Sequence, residues 1–414
     1  MTRPVHRVAP ATDTPVRQDS LRAHNLTLTF QQIVGARLAP VSRSELALTT
    51  SLTRPTISRI VDELLSGGLI VESGPARSGN SGRPRVGLSL ARTGPAGLGL
   101  DIRADTLSAC VVDLTGGVRH LDFTARNARD LPPAQTLASL AEMAEKAIRA
   151  AAAEHLTVVG VTLAAPGPIQ DGVVRLAPTL GWRDVDAGGA LRARIGSAHL
   201  PVTVDNDAGL AALGELYASA QELRDFVCIS GEFDIGAGIV LNGELLPGSR
   251  GWSGELGHVM VQSEGLACSC GAGGCLQCYA GLQEILAAVP ADRLPIAVSP
   301  NWAPAVAIDA LGSAGSPEIL AALDRAGRAL GVAISALVNI IDVDTVLLGG
   351  SYSLLASWLT QSIEREVCDR VLTSAWAPVE VRPAPLGPDA AVIGAALSAV
   401  DKVRRDPNSW LARA

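Results

Sequence analysis

Residues 254–279 read GELGHVMVQSEGLACSCGAGGCLQCY and contain four of the seven cysteines and one of the six histidines of the chain. Cys268, Cys270 and Cys275 fall within eight residues, and His258 lies ten positions before the first of them. Three thiolates and one imidazole form a closed tetrahedral ligand set for Zn²⁺. The glycines between the last two cysteines let the backbone turn tightly enough for the sulfurs to approach one ion. We therefore predict one structural zinc ion per chain on these four residues.

Cys278 is a further candidate sulfur ligand, and a cluster of ordinary buried thiols is the alternative to a metal site. The dense C-x-C-x4-C spacing and the polar, glycine-containing surroundings of His258 favour the metal. Clustered cysteines with metal spacing also indicate a reducing compartment and argue against a disulfide framework.

The pattern G-E-x-G-H followed by C-x-C-G-x-x-G-C-L resembles the signature of the ROK family, which contains sugar kinases and sugar-responsive transcription factors. The resemblance implies that His258 and the three cysteines bind zinc, while Glu255 and the same histidine contact sugar hydroxyls. The family usually has Glu after Gly-Cys-Leu, where this chain has Gln277. Because glutamine both donates and accepts hydrogen bonds, Gln277 as a sugar contact predicts an altered hydroxyl pattern of the ligand.

Composition and charge indicate a two-part molecule. The 414 residues leave room for two or three domains, and the low aromatic content of 3% suits an α/β protein. Residues 1–92 hold 12 Lys and Arg against 6 Asp and Glu, although the whole chain carries a net charge of −7. A basic region attached to an acidic body is typical of nucleic-acid binding at one end. We see no signal peptide and no membrane span, and so expect a soluble, cytoplasmic protein.

The N-terminal region has the pattern of a winged helix-turn-helix. Residues 1–20 are polar and are expected to form a mobile tail, and a helical apolar face begins directly after them. Ser42 and Glu45 form a predicted capping box that opens a short second helix, and Pro55 lies in the first turn of the third. With the glycine-rich hairpin and strand that follow, three helices and a basic wing are predicted over 21–92.

In such a domain the second helix of the pair lies in the major groove, and a basic wing can enter a narrow minor groove. A small helical domain that binds another protein is the alternative, but outward arginines and threonines favour DNA. The candidate DNA contacts are Ser44, Arg54, Thr56, Ser58 and Arg59 on the helices, and Arg83 and Arg85 at the wing tip.

The remainder resembles the two-lobed, actin-like ATPase (ribonuclease H-like) fold of ROK kinases. The resemblance implies a first α/β lobe over 93–205, completed by a C-terminal helix at about 390–414. It also implies a second α/β lobe over 206–389, which carries the zinc loop. The likeness covers nearly the whole chain.

Two phosphate loops of the kinases are altered in this sequence. Where the family has Asp-x-Gly-Gly-Thr, residues 101–106 read Asp-Ile-Arg-Ala-Asp-Thr, and the second loop at 231–238 begins Gly-Glu-Phe-Asp. The glycines that let backbone amides approach phosphate are lost, and Asp105, Glu232 and Asp234 bring negative charge. We therefore predict poor ATP binding and no catalysis.

Asn206 and Asp207 follow a predicted strand in a segment that resembles the sugar-gripping Asn-Asp of the family. In the kinases that Asp is the general base, but a base cannot transfer phosphoryl without a positioned donor. Asp207 is therefore interpreted as an acceptor for a sugar hydroxyl. The alternative is that the pair simply caps the following helix.

Together these features predict a sugar-responsive, DNA-binding transcriptional regulator, expected to be a repressor and not an enzyme. Its predicted partners are operator DNA, a sugar or sugar derivative, and further copies of the chain in a homodimer or homotetramer. Two alternatives remain open. One is an active sugar kinase with a DNA-binding head, and the other is a regulator controlled by a phosphocarrier protein, with a vestigial sugar pocket.

Overall fold

A computed structural model describes residues 18–36, 39–75, 86–196, 199–219, 222–290 and 304–413, and these fall into two units. The smaller unit comprises the residues up to Leu90 together with those from Val403 onward, and the body comprises Ala91–Lys402. Most of the predicted mobile tail lies outside the described residues, as do the wing-tip candidates Arg83 and Arg85.

The smaller unit contains the predicted order of three helices and a two-stranded antiparallel sheet. The elements are α1 (Gln18–Gly35), α2 (Arg43–Thr50), α3 (Arg54–Ser66), β1 (Ile70–Pro75) and β2 (Val86–Leu90). Helix α1 begins at Gln18, so the last residues of the expected tail are already helical. This is the arrangement expected of a winged helix-turn-helix.

The caps of α2 and α3 follow from the sequence. The predicted capping box is confirmed: the Ser42 amide donates to Glu45 Oε2 at 2.8 Å, and the Glu45 amide donates to Ser42 Oγ at 3.3 Å. Ser51 ends α2 in the left-handed conformation, and the Thr53 side chain caps α3. The face of α3 that packs inward contains Ile57, Ile60, Val61 and Leu64. These contacts leave the opposite face of α3 exposed.

The body is built from two five-stranded sheets and one three-stranded sheet. The strands are β3 (Gly94–Ile102), β4 (Thr106–Asp113), β5 (Val118–Ala125), β6 (Leu156–Ala165), β7 (Ile169–Gln170), β8 (Val173–Ala177), β9 (Trp182–Asp186), β10 (Val202–Asn206), β11 (Phe226–Gly231), β12 (Ile235–Leu241), β13 (Glu244–Leu245), β14 (Thr345–Gly350) and β15 (Glu380–Pro383).

The two five-stranded sheets have the same topology. Their strand orders are β5-β4-β3-β6-β10 and β13-β12-β11-β14-β15. In each sheet the first three strands in sequence form an antiparallel meander, and two later strands add in parallel beside the first. Strands β7, β8 and β9 form the small antiparallel sheet. The duplicated sheet confirms the predicted two-lobed, actin-like architecture.

The helices of the body cover these sheets. They are α4 (Pro133–Ala153), α5 (Ala187–Arg194), α6 (Asp207–Ala218), α7 (Gln277–Ala280), α8 (Leu282–Leu286), α9 (Pro304–Ser313), α10 (Pro317–Ile341), α11 (Tyr352–Arg370) and α12 (Ala390–Arg405), which continues into the smaller unit. Among the described residues no single helix is long and apolar enough to cross a membrane. Helices α9 and α10 meet that test only as a pair bent by 118°.

Helix α12 lies directly on strand β3 of the first lobe. A Cβ atom built on Gly97 would lie 2.0 Å from the carbonyl oxygen of Ala396, so the helix can approach only because this position is glycine.

The predicted closing helix at about 390–414 needs a correction. Helix α12 ends at Arg405, and Pro407 separates it from a short helix α13 (Asn408–Leu411) that belongs to the smaller unit. There Trp410 Nε1 donates to the carbonyl oxygen of Gly67 at 2.8 Å, and Asn408 Nδ2 donates to Thr27 Oγ1 at 3.3 Å. The last residues therefore complete the N-terminal unit and not the first lobe.

Candidate functional site

A cavity of about 350 Å³ lies in the body, at the start of α6 and beside the ends of β8 and β11. Four of the five predicted sugar contacts line it, namely Asn206, Asp207, Glu255 and His258. Residues that are separated by up to 52 positions in sequence thus share one concave site, of a size typical for small-molecule ligands.

Asn206 and Asp207 enter the cavity from the N-terminus of α6. Asn206 Oδ1 accepts from the Gly209 amide at 3.1 Å, and its Nδ2 donates to the carbonyl oxygen of Gly167 at 3.2 Å. The interpretation of the pair as a helix cap is therefore correct for Asn206, which also faces the cavity. Asp207 Oδ1 accepts from the Ala208 amide at 2.8 Å, and its Oδ2 has no hydrogen-bond partner among the described residues.

The carboxylates of the cavity have raised pKa values. Burial raises the pKa of Asp207 to about 7, and the negative charge of Asp101 adds to this effect. Burial also raises the pKa of Glu255. A ligand that supplies a hydrogen-bond donor would stabilise the charged form of each carboxylate, because burial of a charge without such a donor is unfavourable.

Gly254 determines where Glu255 and His258 lie. Its φ of +94° is in the region that favours glycine, and a Cβ atom there would lie 1.7 Å from the carbonyl oxygen of Ala237. The Ala237 amide donates to the Gly254 carbonyl oxygen at 2.8 Å. The segment therefore rests on strand β12, and the short 3₁₀ helix that follows carries His258 to the cavity.

The four predicted metal ligands form a cluster that can hold a metal ion. Their ligand atoms all lie within 4.8 Å of one another. The Cys270 and Cys275 sulfurs are 3.8 Å apart, and Cys268 Sγ is 3.7 Å from His258 Nδ1. A tetrahedral ion with bonds of about 2.3 Å to sulfur requires sulfur–sulfur distances of about 3.8 Å. The cluster therefore fits a tetrahedral metal with soft ligands.

Two further observations define the metal cluster. Burial opposes ionisation of Cys268, but hydrogen bonds, led by that of the Cys270 backbone, lower the pKa of its thiol to about 6. Cys278, the competing candidate, lies outside the cluster, and its thiol instead donates to the carbonyl oxygen of Ala267 at 3.6 Å. His258 and Cys270 belong to both the cluster and the cavity wall, so the loop that carries the cluster shapes the cavity.

Gln277 has a different role from the predicted one. Its Oε1 accepts from the Ile235 amide at 2.8 Å, and its Nε2 donates to the carbonyl oxygen of Phe233 at 2.7 Å. Gln277 is not among the described residues that line the cavity. The expected sugar contact is therefore corrected: this side chain braces the loop between β11 and β12, and it needs both a donor and an acceptor to do so.

Asp234 lines the cavity, although the sequence placed it in the phosphate region. Thr179 Oγ1 donates to Asp234 Oδ1 at 2.5 Å, and burial raises the pKa of this carboxyl. In the sequence, Asp234 is notable only because it replaces part of the family's glycine-rich loop. That replacement does not indicate which cavity the side chain lines.

The region that corresponds to the phosphate loops is closed by an ion pair. Arg103 Nη1 lies 3.3 Å from Glu232 Oε1, and Arg103 Nε lies 3.5 Å from Asp101 Oδ2. Ser351 Oγ donates to Glu232 Oε2 at 2.8 Å. The two spaces beside these groups measure about 20 and 10 Å³, which is room for about one water molecule each. Arg103 therefore offsets part of the negative charge that the sequence brings to this region.

The predicted DNA contacts on the described helices differ in their surroundings. Arg54, Ser58 and Arg59 are exposed on α3. Thr56 is half-buried with its hydroxyl 2.9 Å from that of Thr53, and Ser44 is similarly paired with Ser42 at 3.0 Å. Among the predicted contacts that the structure describes, the exposed ones therefore lie in the first turns of α3.

The fold and the site define a member of a known family. Residues 97–402 match the sequence model of the ROK family, and the chain belongs to this family. Over 391 residues it is 26% identical to the xylose repressor of Bacillus subtilis strain 168, and the match covers 93% of this chain and 97% of that protein.

The chain resembles solved structures of both a regulator and a kinase of this family. A ROK family transcriptional regulator, a homolog of the E. coli MLC protein, is 26% identical with a TM-score of 0.76, covering 95% of this chain and 100% of that one. A ROK family glucokinase from Streptomyces griseus in complex with glucose and AMPPNP is 27% identical with a TM-score of 0.60. The glucokinase covers 73% of this chain and 98% of its own, so it leaves about a quarter of this chain unmatched.

Proposed function

We propose that this ROK-family protein is a transcriptional repressor whose operator affinity is controlled by a sugar bound in the cavity. The observation that carries the proposal is the meeting of Asn206, Asp207, Glu255 and His258 around one cavity. The same chain has three helices and a two-stranded sheet in the order expected of a winged helix-turn-helix. The similarity to a xylose repressor and to a ROK regulator over more than nine-tenths of the chain supports it.

The proposed sugar site works by accepting hydrogen bonds from hydroxyls. Asp207 and Glu255 supply carboxylates, and a sugar that lacks a matching hydroxyl would leave one of them buried and unpaired. The sugar must bind one conformation of the protein more tightly than the other, because only that difference can shift the affinity for DNA.

We propose Zn²⁺ as the ion of the metal cluster, held by His258, Cys268, Cys270 and Cys275. Three thiolates and one imidazole leave no open position, so the ion would supply structure and not a reactive water. Its role would be to hold the loop that positions His258 against the sugar.

We propose that the body does not transfer phosphoryl groups. That reaction depends on a positioned donor and on neutralising charge at the phosphates. The Arg103–Glu232 pair occupies the corresponding place, with room beside it for about one water molecule on each side. This argues against the alternative of an active kinase with a DNA-binding head.

A screen by thermal unfolding tests the sugar site. D-xylose, D-glucose and N-acetyl-D-glucosamine are added to the full chain in a concentration series. A ligand at a hundredfold excess over its dissociation constant stabilises the protein by about 2.7 kcal/mol. We expect at least one neutral sugar to raise the unfolding temperature with saturation. If no sugar does so, the alternative of a vestigial pocket with a protein effector is favoured.

Arg59→Ala is expected to weaken operator binding, by about 1–3 kcal/mol if the side chain contacts a base. Arg59 is exposed on α3, in the helix proposed to enter the major groove. The operator is selected from random duplexes by the wild-type protein, and affinities are measured by gel shift. Arg365→Ala, at an exposed position on α11, is the matched control and should bind like wild type. Equal operator affinity of Arg59→Ala and wild type would contradict the proposal that this helix contacts DNA.

Reading two half-sites requires two helix-turn-helix units. We therefore propose that the protein acts as a homodimer or homotetramer. We also propose that it acts in the cytoplasm.

A further inference from the structure

Asp234 gives the proposed sugar cavity a third carboxylate. It lines the cavity together with Asp207 and Glu255, and Thr179 holds one of its oxygens by the hydrogen bond at 2.5 Å. Its Oδ2 has no hydrogen-bond partner among the described residues. The loop that carries Asp234 is braced by both ends of the Gln277 amide, so the carboxylate is presented from a fixed backbone.

The cavity offers little to a negatively charged ligand. Among the residues that the structure describes, no lysine or arginine lines it. Arg129 lies next to this loop, with its guanidinium carbon 4.4 Å from the centroid of the Phe233 ring, and its charge partly offsets the effect of burial on the pKa of Asp234, but it is not part of the lining. His258 belongs to the metal cluster, where a divalent ion with three thiolates would retain a net negative charge.

The N-terminus of α6 does not supply an anion site either. Free amides at a helix N-terminus bind phosphate well. Here the Gly209 amide donates to the Asn206 side chain, and the Ala208 amide donates to Asp207. These first-turn amides are therefore already hydrogen-bonded to neighbouring side chains, and one of those side chains is the carboxylate of Asp207.

On the basis of the function proposed above, we infer that Asp234 is a specificity-determining residue for an uncharged sugar. One sugar hydroxyl donates to the free oxygen of Asp234, while Asp207 and Glu255 accept from others. A phosphorylated sugar or a uronic acid would place its charge among three carboxylates, in a cavity that no described lysine or arginine lines. Such like-charge contacts are a common means of rejecting a competing ligand.

The test compares sugars that differ only in charge, by calorimetric titration of the full-length protein. D-glucose is compared with D-glucose 6-phosphate and D-glucuronate, and D-xylose with α-D-xylose 1-phosphate. We expect a neutral sugar to bind at least about a hundredfold more tightly than its charged derivatives, because like-charge contacts cost several kcal/mol. A charged derivative that binds as tightly as its neutral parent overturns the inference but leaves a sugar-responsive regulator in place. If neither neutral nor charged sugars bind, the proposed function itself fails.

Variants assign the selectivity to Asp234. Asp234→Asn should weaken binding of the neutral sugar about ten- to a hundredfold, the usual effect of losing a hydrogen bond to a charged group. It should also reduce the ratio of the affinities for the neutral sugar and for its phosphate. Thr179→Val should reduce the ratio of the affinities for the neutral sugar and its phosphate by a smaller factor, as expected of a positioning residue. Thr179→Ser keeps the hydroxyl and should have the same affinity ratio as the wild type. Asp369→Asn, an exposed carboxylate on α11, is the charge-matched control. Unchanged selectivity in Asp234→Asn would contradict the inference.

Discussion

Replacing Asp207 with asparagine is expected to abolish sugar binding and, at the same time, to raise the stability of the ligand-free protein at neutral pH. The amide keeps the shape of the side chain and can still accept from the Ala208 amide. It removes a carboxylate whose pKa burial raises to about 7, helped by the nearby Asp101. We expect the affinity for sugar to fall more than about a hundredfold and the free energy of unfolding to rise by roughly 1–3 kcal/mol at pH 8.

The pH dependence follows from the direction of this shift. The unfolded chain has an aspartate pKa near 3.9, so the folded protein holds this proton more tightly than the unfolded chain does. The unfavourable contribution of Asp207 is therefore absent below about pH 4, grows as the pH rises and is complete above about pH 7. The stability gained in Asp207→Asn should accordingly be small at pH 5 and largest at pH 8, as measured by urea unfolding.

Asp101→Asn provides the matched control. Asp101 is buried, and burial raises its pKa to about 7, although the Arg103 guanidinium at 3.5 Å acts in the opposite direction. Its charged form is therefore unfavourable at pH 8, and it is not part of the cavity lining. This variant should also gain stability at pH 8 but should keep its sugar affinity. With sugar and ATP, we expect no release of ADP by the wild-type protein. Sugar-dependent ADP release that is lost in Asp207→Asn would instead identify Asp207 as a catalytic base and favour the kinase alternative.

Replacing Cys268 with serine is expected to prevent binding of the proposed zinc ion and to lower both stability and sugar affinity. Binding of a structural zinc ion contributes directly to folding, so the loss of one ligand in a closed set has a large effect. The sugar affinity should fall as well, because His258 and Cys270 belong to both sites. Elemental analysis should find about one zinc ion per wild-type chain and much less in the variant.

Cys278→Ser is the control for this experiment, since Cys278 is a cysteine of the same loop that lies outside the cluster. It should retain the ion and the unfolding temperature of the wild type. A wild-type preparation that contains no metal, yet is fully stable and binds sugar, would show that the cluster is only a group of thiols.

The metal cluster and the capping box could be predicted from sequence because each is local. The four ligands span 18 residues, and the box depends on two residues three positions apart. In both cases the spacing and the residue types nearly determine the geometry. The two lobes followed from the resemblance to a family, and the repeated strand order agrees with it.

The corrected residues share a different property, which is dependence on contacts between distant segments. Arg103 meets Glu232 across 129 positions, and Thr179 meets Asp234 across 55. No periodicity or spacing in one sequence identifies such pairs, because each is formed where two loops from different sheets approach. The prediction for Gln277 was wrong for the same reason, because the partners of its side chain are backbone atoms of a loop more than 40 positions away.

Control of DNA binding by the cavity is tested by titrating labelled operator DNA with the protein, with and without a saturating neutral sugar, and following the fluorescence anisotropy. We expect the sugar to lower the operator affinity of the wild-type protein by about 5- to 150-fold, the usual range for coupled sites. Asp207→Asn should bind the operator equally well in both conditions. A sugar that stabilises the wild-type protein against unfolding but leaves its operator affinity unchanged would contradict the claim that the cavity controls DNA binding.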